Sequence, residues 1–451
     1  MTKSWRQKIA GPKRDVLVGF VIFAVTLVIF LISRVHTAGD SQYTMLLSQS
    51  LLERGSFALD DYKIPGVERV DGGFTKPDRL YQLELVRGHV YYLFPPGSSI
   101  LSLPYVALMK VFGITAADQD GSYNVNNEVK LQVGLAALLM AALASIFFFT
   151  ARLVLPTDWS ELVAFGGAWG TQVWSTASRA LWSDTWGIFL LGIVLWMLLV
   201  EAVGKRRLRP VLLATLLAWM YFVRPTNSIP ILAISIYVLL FHRRLIVWYA
   251  VTGILWLALF IGYSWFHFGQ MLPAYYQAGR LTFDHFGEAL AGNLISPGRG
   301  LFLFVPVLFF VFYLLVRYRK YLVDKRLVLL ALIVITGHWI ATSAFPHWYG
   351  GHSFGPRLMT GIVPWLVLLG ILGLQAMLKW RAEQSDPKPR LAWRIQSVLG
   401  GALLLISVAI NCLGATTHAT WLWNIRPVDV DLQPSRIWDW RHPQFLAKWQ
   451  N

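Results

Sequence analysis

The sequence predicts an all-α integral membrane protein of about eleven transmembrane helices, with a long outer first loop that carries juxtamembrane helices. Three observations lead there. Hydrophobic residues make up 56% of the 451 positions and charged residues only 14%, a balance that excludes an ordinary soluble multidomain chain. The apolar residues fall into runs of membrane-spanning length, about 20 residues each. Lys and Arg gather in the short connectors between runs: Lys3, Arg6, Lys8, Lys13 and Arg14; Lys205, Arg206, Arg207 and Arg209; Arg243 and Arg244; Arg317, Arg319, Lys320, Lys325 and Arg326; Lys379, Arg381, Lys388, Arg390 and Arg394. That is the positive-inside pattern, so the net charge of +16 points to anionic headgroups rather than to nucleic acid. The 21 Trp and 17 Tyr suit interfacial belts as well as helix packing.

The first run, Val16 to Ser33, follows the basic N-terminal segment. It is too long for a secretory core and lacks a convincing cleavage site, so it reads as an uncleaved signal anchor that places the N-terminus in the cytoplasm. It leads into Thr37-Ala38-Gly39-Asp40-Ser41-Gln42-Tyr43, which opens an outer segment extending to residue 130. In that segment Met45 to Leu52 reads as an amphipathic helix lying on the membrane, with Leu46, Leu47, Leu51 and Leu52 on its apolar side. Asp60 to Gly73 reads as loop, and Leu80 to Leu93 as strand pieces around Gly88. Phe94-Pro95-Pro96-Gly97 is a break. Ser98 to Phe112, short and containing Pro104, reads as a re-entrant or interfacial helix.

The remaining spans are expected at Leu131–Leu153, Glu161–Ser175, Thr185–Val203, two segments flanking Arg224-Pro225-Thr226-Asn227, Leu245–Phe266, Leu301–Val316, Leu327–Phe345, Leu358–Leu378 and Ile395–Gly414. Residues 1–415 form the polytopic domain, and 416–451 form an outer tail rich in Trp and Pro. The one cysteine, Cys412, lies in an apolar run and excludes an intramolecular disulfide. There is no Walker-type loop and no dinucleotide fingerprint, so energy from ATP has no support.

The informative cations are those that break the inside rule. Arg179, Arg224, Arg299 and Arg357 fall in outer loops near span ends, where a guanidinium can clamp phosphate oxygens; snorkelling to headgroups or capping a neighbouring helix is the alternative. Arg299 and Arg357 precede spans whose positive ends face outward, beside Gly and Pro residues that let backbone approach an anion. Asp40 and Asp184 are candidate catalytic acids; each could instead cap the helix that follows it. His347 and His352 sit five apart in a Gly-rich loop that matches no strong metal motif, so substrate hydrogen bonding or aromatic packing is preferred to ligation. His285, with Asp284 and Glu288, stands on the third outer loop and either lines an acceptor path or is solvated. Tyr43, Tyr92, His285, His347 and His352 are the candidate substrate contacts. No cofactor is called for, and a divalent cation is left open.

Several of these motifs occur together in one order: Gly39-Asp40 after the first span, Tyr91-Tyr92-Leu93-Phe94-Pro95-Pro96-Gly97, Ser296-Pro297-Gly298-Arg299-Gly300, and Trp348-Tyr349-Gly350-Gly351 leading to Ser353-Phe354-Gly355-Pro356-Arg357. In this the chain resembles the C superfamily of membrane glycosyltransferases, in the branch with protein O-mannosyltransferases and the bacterial aminoarabinose transferase of lipid A. The tail Ile437-Trp438-Asp439-Trp440-Arg441-His442-Pro443-Gln444-Phe445 resembles tails of bacterial members. The resemblance implies an inverting sugar transfer from a polyprenyl-phosphate donor to a hydroxyl on a glycan, lipid or protein, at the periplasmic or extracellular face of a bacterial cell membrane. It implies Asp40 as the base, Asp184 in support, and arginines on the leaving phosphate. Where the aminoarabinose transferase has a lysine before its Pro-Pro step, this chain has Phe94, so Lys76 or Arg87 is the expected substitute. The rival class is a transporter or flippase of lipid-linked saccharides, which calls for mid-membrane charges and inverted repeats that the sequence lacks; a structural scaffold leaves the outward arginines unexplained.

Overall fold

A computed structural model describes residues 12–37, 39–277, 279, 281–384 and 389–449. Lys3, Arg6, Lys8, Lys388 and Ala38 of the sequence reading lie outside the described residues. The chain is mostly helical, with two small antiparallel hairpins. Its helices are α1 (Pro12–Ile32), α2 (Thr44–Arg54), α3 (Gly97–Leu101), α4 (Leu103–Val111), α5 (Val125–Ala151), α6 (Thr157–Trp169), α7 (Ser183–Ala202), α8 (Pro210–Val223), α9 (Ser228–Phe241), α10 (Ile246–Phe268), α11 (Phe286–Ile295), α12 (Leu301–Phe304), α13 (Val307–Arg317), α14 (Lys325–Ser343), α15 (Val363–Glu383), α16 (Pro389–Thr416) and α17 (His418–Leu422).

Seven helices among the described residues are long and apolar enough to cross a membrane, in α1, α5, α7, α10, α14, α15 and α16. The expected eleven is therefore not reached by length, and the shortfall has local causes. Helices α8 and α9 have 14 residues each, about 21 Å against a hydrocarbon core of about 30 Å. They part at Pro225, which cannot extend α8 and forces Arg224 into an extended conformation. The expected span at Leu301–Val316 is broken at Val305-Pro306, and the N–H of Val307 donates to Ser407 Oγ at 3.0 Å. The one at Glu161–Ser175 ends as helix at Trp169 and passes Gly170 into a π-helical turn, Val173–Ala177.

The apolar faces sort into two kinds. Helix α15 is the most enclosed of the seven, and it packs with α5, α6, α7 and α13 around the main core. Helix α10 is the least enclosed; Trp248, Ile254, Leu255, Trp265 and Phe266 stand exposed along it. Such a continuous apolar surface on a helix of that length is what lipid covers. Small residues permit the close crossings inside: a Cβ on Gly19 would meet the Phe149 ring at 2.5 Å, and one on Gly192 would meet Leu143 at 2.4 Å. Asp15 and Arg152 add a two-pronged ion pair between α1 and α5, at 3.0 and 3.1 Å.

The segment between α1 and α5 departs from the membrane-surface helix expected at Met45–Leu52. Helix α2 is buried on both faces from Thr44 to Ser50, so it is part of the protein interior. Its polar residues are satisfied there. Ser48 donates to the Ser99 carbonyl at 2.9 Å, and Gln49 accepts from the Ala117 N–H at 3.0 Å. Its positive end rests on Glu128 of α5, which accepts from the N–H groups of Met45 and Leu46 at 2.9 and 3.0 Å. Strands β1 (Glu68–Val70) and β2 (Gly73–Thr75) form a hairpin where loop was expected. Strands β3 (Leu83–Val86) and β4 (His89–Tyr92) pair around Arg87-Gly88, both with positive φ, as a tight two-residue hairpin requires. The Phe94–Gly97 break holds. The following segment is two helices meeting at Ser102, and the longer has nine residues, too short to cross. The segment after α16 folds back on the loop between α14 and α15, where Trp423, Val430 and Ile437 bury against Trp348 and Tyr349.

Replacing Glu128 with Ala leaves two buried N–H groups without an acceptor. A loss of about 2–3 kcal/mol is expected, read as a lower midpoint in thermal unfolding of detergent-solubilised protein, with Glu128→Gln recovering part of it.

Candidate active site

Helix α1 ends at Ile32 with unsatisfied carbonyls, and Arg179 closes that end. Fully buried, it donates from Nη2 to the Phe30 carbonyl at 2.6 Å and from Nη1 to that of Ser33 at 3.0 Å. The chain then turns through Gly39 and Asp40 to Tyr43, whose φ of 75° swings it into α2. Gln132 of α5 holds the turn: its Nε2 donates to the Ser41 carbonyl at 2.7 Å, and its Oε1 accepts from the Leu181 N–H at 3.3 Å. One side chain thus ties the Asp40 turn to the segment that enters α7.

The Asp40 carboxylate caps no helix. Tyr43 is the residue before α2 and no side chain caps there, the helix end being served by Glu128 instead. One oxygen of Asp40 accepts from the Tyr81 hydroxyl at 2.8 Å and the other from Arg357 Nη2, while its backbone carbonyl accepts from Tyr92 at 2.7 Å. Burial alone would raise the Asp40 pKa. The Arg357 guanidinium, the Tyr81 hydroxyl and the more remote charge of Arg224 outweigh it and hold the carboxyl below its ordinary value. Burial and the Asp40 charge push the Tyr81 phenol upward, so it stays a donor. Arg357 lies flat on Trp182, 3.6 Å from guanidinium carbon to ring centre. The loop before it turns at Gly350, Gly351 and Gly355, all with positive φ.

A second acid–arginine pair stands close by. Asp184, in the first turn of α7 and 1% exposed, pairs with Arg224. Arg224 Nε also donates to Thr226 at 2.9 Å; its Nη2 has no hydrogen-bond partner among the described residues. The other oxygen of Asp184 is buried without a partner. Asp40, Arg224 and Arg357 all face one cavity of about 1330 Å³. Its walls include Tyr92, Phe94, Trp182, Tyr275, Phe345 and His347.

Of the other expected site residues, Tyr92, His347 and His352 line this cavity and Asp184 touches it through Arg224. The rest do not, for visible reasons. Arg299 is 1% exposed and all five of its donors are occupied, by the carbonyls of Tyr349, Gly298 and Gly351 and the amide oxygens of Gln444 and Asn424. Burial lowers its pKa to about 9, so it remains charged at neutral pH. Arg179 is the α1 clasp described above. Arg179 caps a neighbouring helix, the alternative the sequence reading left open, and Arg299 ties loop backbone to Gln444 and Asn424. Arg87 stands in the β3–β4 turn against Gly269, and Lys76 follows β2; neither reaches the cavity wall. Tyr43 is buried against Tyr123, with ring centres 4.8 Å apart. His285 is largely exposed, 3.7 Å from Glu288. Sequence reasoning missed Tyr81 and Trp182. Trp182 directly precedes Ser183-Asp184, a signal that was available; nothing near Tyr81 marks it.

No family model matches the chain, and no curated protein matches it either.

Two outcomes follow from this geometry. Replacing Arg299 with Lys strands buried carbonyls and should cost about 3 kcal/mol, seen as a lower thermal midpoint. Asp40, with its folded pKa below the unfolded one, contributes stability that is present above the ordinary carboxylate range and lost as pH falls through the folded value. The thermal advantage of the wild type over Asp40→Asn should therefore shrink between about pH 5 and pH 2.

Proposed function

We propose that the chain is an inverting membrane glycosyltransferase, moving a sugar from a polyprenyl-phosphate donor to a hydroxyl acceptor on a glycan, lipid or protein. The observation that carries this reading is the meeting of Asp40, Arg357 and Arg224 at one roomy cavity with aromatic residues in its walls, Asp40 standing directly after the first apolar helix. Sugar transfer from a lipid phosphate needs a base for the acceptor hydroxyl, cations for the leaving phosphate and apolar surface for the lipid. The ordered motifs that resemble the C superfamily support the same class. We place the site on the periplasmic or extracellular face of a bacterial cell membrane, with the N-terminus cytoplasmic, because the basic connectors belong inside.

The roles divide by geometry. Inversion puts the base and the departing phosphate on opposite faces of the anomeric carbon. Arg357 touches Asp40 and therefore serves the base side, where it and Tyr81 orient the carboxylate. The phosphate falls to Arg224, which lines the cavity and whose Nη2 has no hydrogen-bond partner among the described residues, with Asp184 fixing the guanidinium. The acceptor oxygen attacks the anomeric carbon as the carbon–oxygen bond to phosphate breaks. The electron pair leaves with the polyprenyl phosphate, and the hydroxyl proton passes to Asp40. A carboxylate held at low pKa is a weak base, which suits a transition state in which the sugar already carries positive charge and the proton moves late.

The test incubates purified protein with a panel of polyprenyl-phosphate sugars and follows release of the lipid phosphate. Turnover is expected with at least one donor, and Asp40→Asn should lower it by about 10²–10⁴ with the fold intact. A folded Asp40→Asn protein with full turnover would exclude the base. No release with any donor, together with movement of a lipid-linked saccharide between leaflets, would make the chain a transporter.

A further inference from the structure

The geometry points to a divalent transition-metal site at the cavity rim, formed by His352, Asp429 and Asp431. One ligand atom from each residue lies within 4.8 Å of the other two. His352 Nε2 is 2.8 Å from Asp429 Oδ1 and 3.5 Å from Asp431 Oδ2. Ligands arranged tetrahedrally about an ion at about 2.1 Å stand about 3.4 Å apart, so a metal needs only small side-chain adjustments. One imidazole and two carboxylates make a set that suits zinc or manganese better than magnesium, which prefers oxygen and water.

Charge supports a cation here. Two carboxylates converge on one imidazole, and among the described residues His352 is the only side chain in ion-pair contact with either. Arg436 acts on Asp429, and Arg299 and Asp431 act on each other, only at longer range. The framework behind the ligands is already rigid. Arg299 holds the Gly351 carbonyl, Gln444 holds that of Ser353, and the Asp431 N–H donates to Asp429 Oδ1 at 2.8 Å. The ligands thus come from two parts of the chain fastened to the same buried arginine, through Gly351 on one side and Asn424 on the other. His352 and Asp431 also line the large cavity. A bound ion would clasp the tail to the Gly-rich loop and turn its open coordination positions toward the cavity, where a water or a phosphate oxygen could complete them. The site stands independently of the transfer reaction proposed above.

The test uses full-length protein with its purification tag removed, stripped with EDTA and incubated separately with Zn²⁺ and Mn²⁺. Metal retained after gel filtration is counted by mass spectrometry, and thermal midpoints are recorded with and without metal. About one equivalent per chain and a rise in midpoint are expected for at least one of the ions. Asp431→Asn changes the most exposed ligand and should keep the metal-free midpoint while weakening binding at least tenfold; His352→Ala should abolish it. Failure to retain either ion, or equal retention by both variants, overturns the site.

Discussion

A guanidinium taken out of water must find an oxygen for each of its N–H groups. In this chain that requirement shapes the end of the helical bundle where α1 runs into the Asp40 turn. Arg179 finds its oxygens at the end of α1 and so fixes where the first helix stops. Arg299 draws together its own turn, the Gly-rich loop and the tail. Arg224 and Arg357 instead lean on one carboxylate each, Asp184 and Asp40, and both arginines line the cavity. The division is physical. Arg299, ringed by neutral oxygens, keeps its charge but has no remaining donor to offer. An arginine that leans on a single acid keeps a donor or an edge available to a ligand.

The cavity is held by side chains that do not line it. Gln132 connects the Asp40 turn to Leu181, and through it to Trp182 and the start of α7. Glu128, one helical turn earlier, carries the positive end of α2. The acid and the aromatic plate under Arg357 are therefore positioned from one face of one long helix. This matters in a bundle whose outward loops contain many glycines, because the loops alone would not fix a carboxylate to a fraction of an ångström.

Much of this was legible in the residues. Asp40 at the mouth of a membrane helix follows from a single hydropathy run and one charged residue. The turn at Gly88 and the Pro-Pro break are local chemistry, and local chemistry survives folding. The sorting of the arginines was not legible. Arg299 and Arg357 share the same kind of Gly-Pro neighbourhood, and what separates them is a partner far along the chain: Gln444 for one, Asp40 for the other. Against the eleven expected spans, seven helices among the described residues have crossing length, for a related reason. Hydropathy reports how greasy a segment is, whereas Pro225, Pro306 and the turn after Gly170 decide how far it runs as helix. Helix α2 looked amphipathic because serine and glutamine count as polar on any scale. Their burial depended on acceptors and donors supplied by Ser99 and Ala117.

The tail adds an ordering in time. Gln444 lies 145 positions after Arg299, and its amide joins that arginine, the Gly355 N–H and the Ser353 and Thr420 carbonyls at a single buried point. A ribosome delivers the arginine long before the amide. Until then Arg299 lacks one of its five acceptors, and the Gly355 N–H lacks its own. Closure of the Gly-rich loop that carries Arg357 therefore waits on an amide made long after the loop itself.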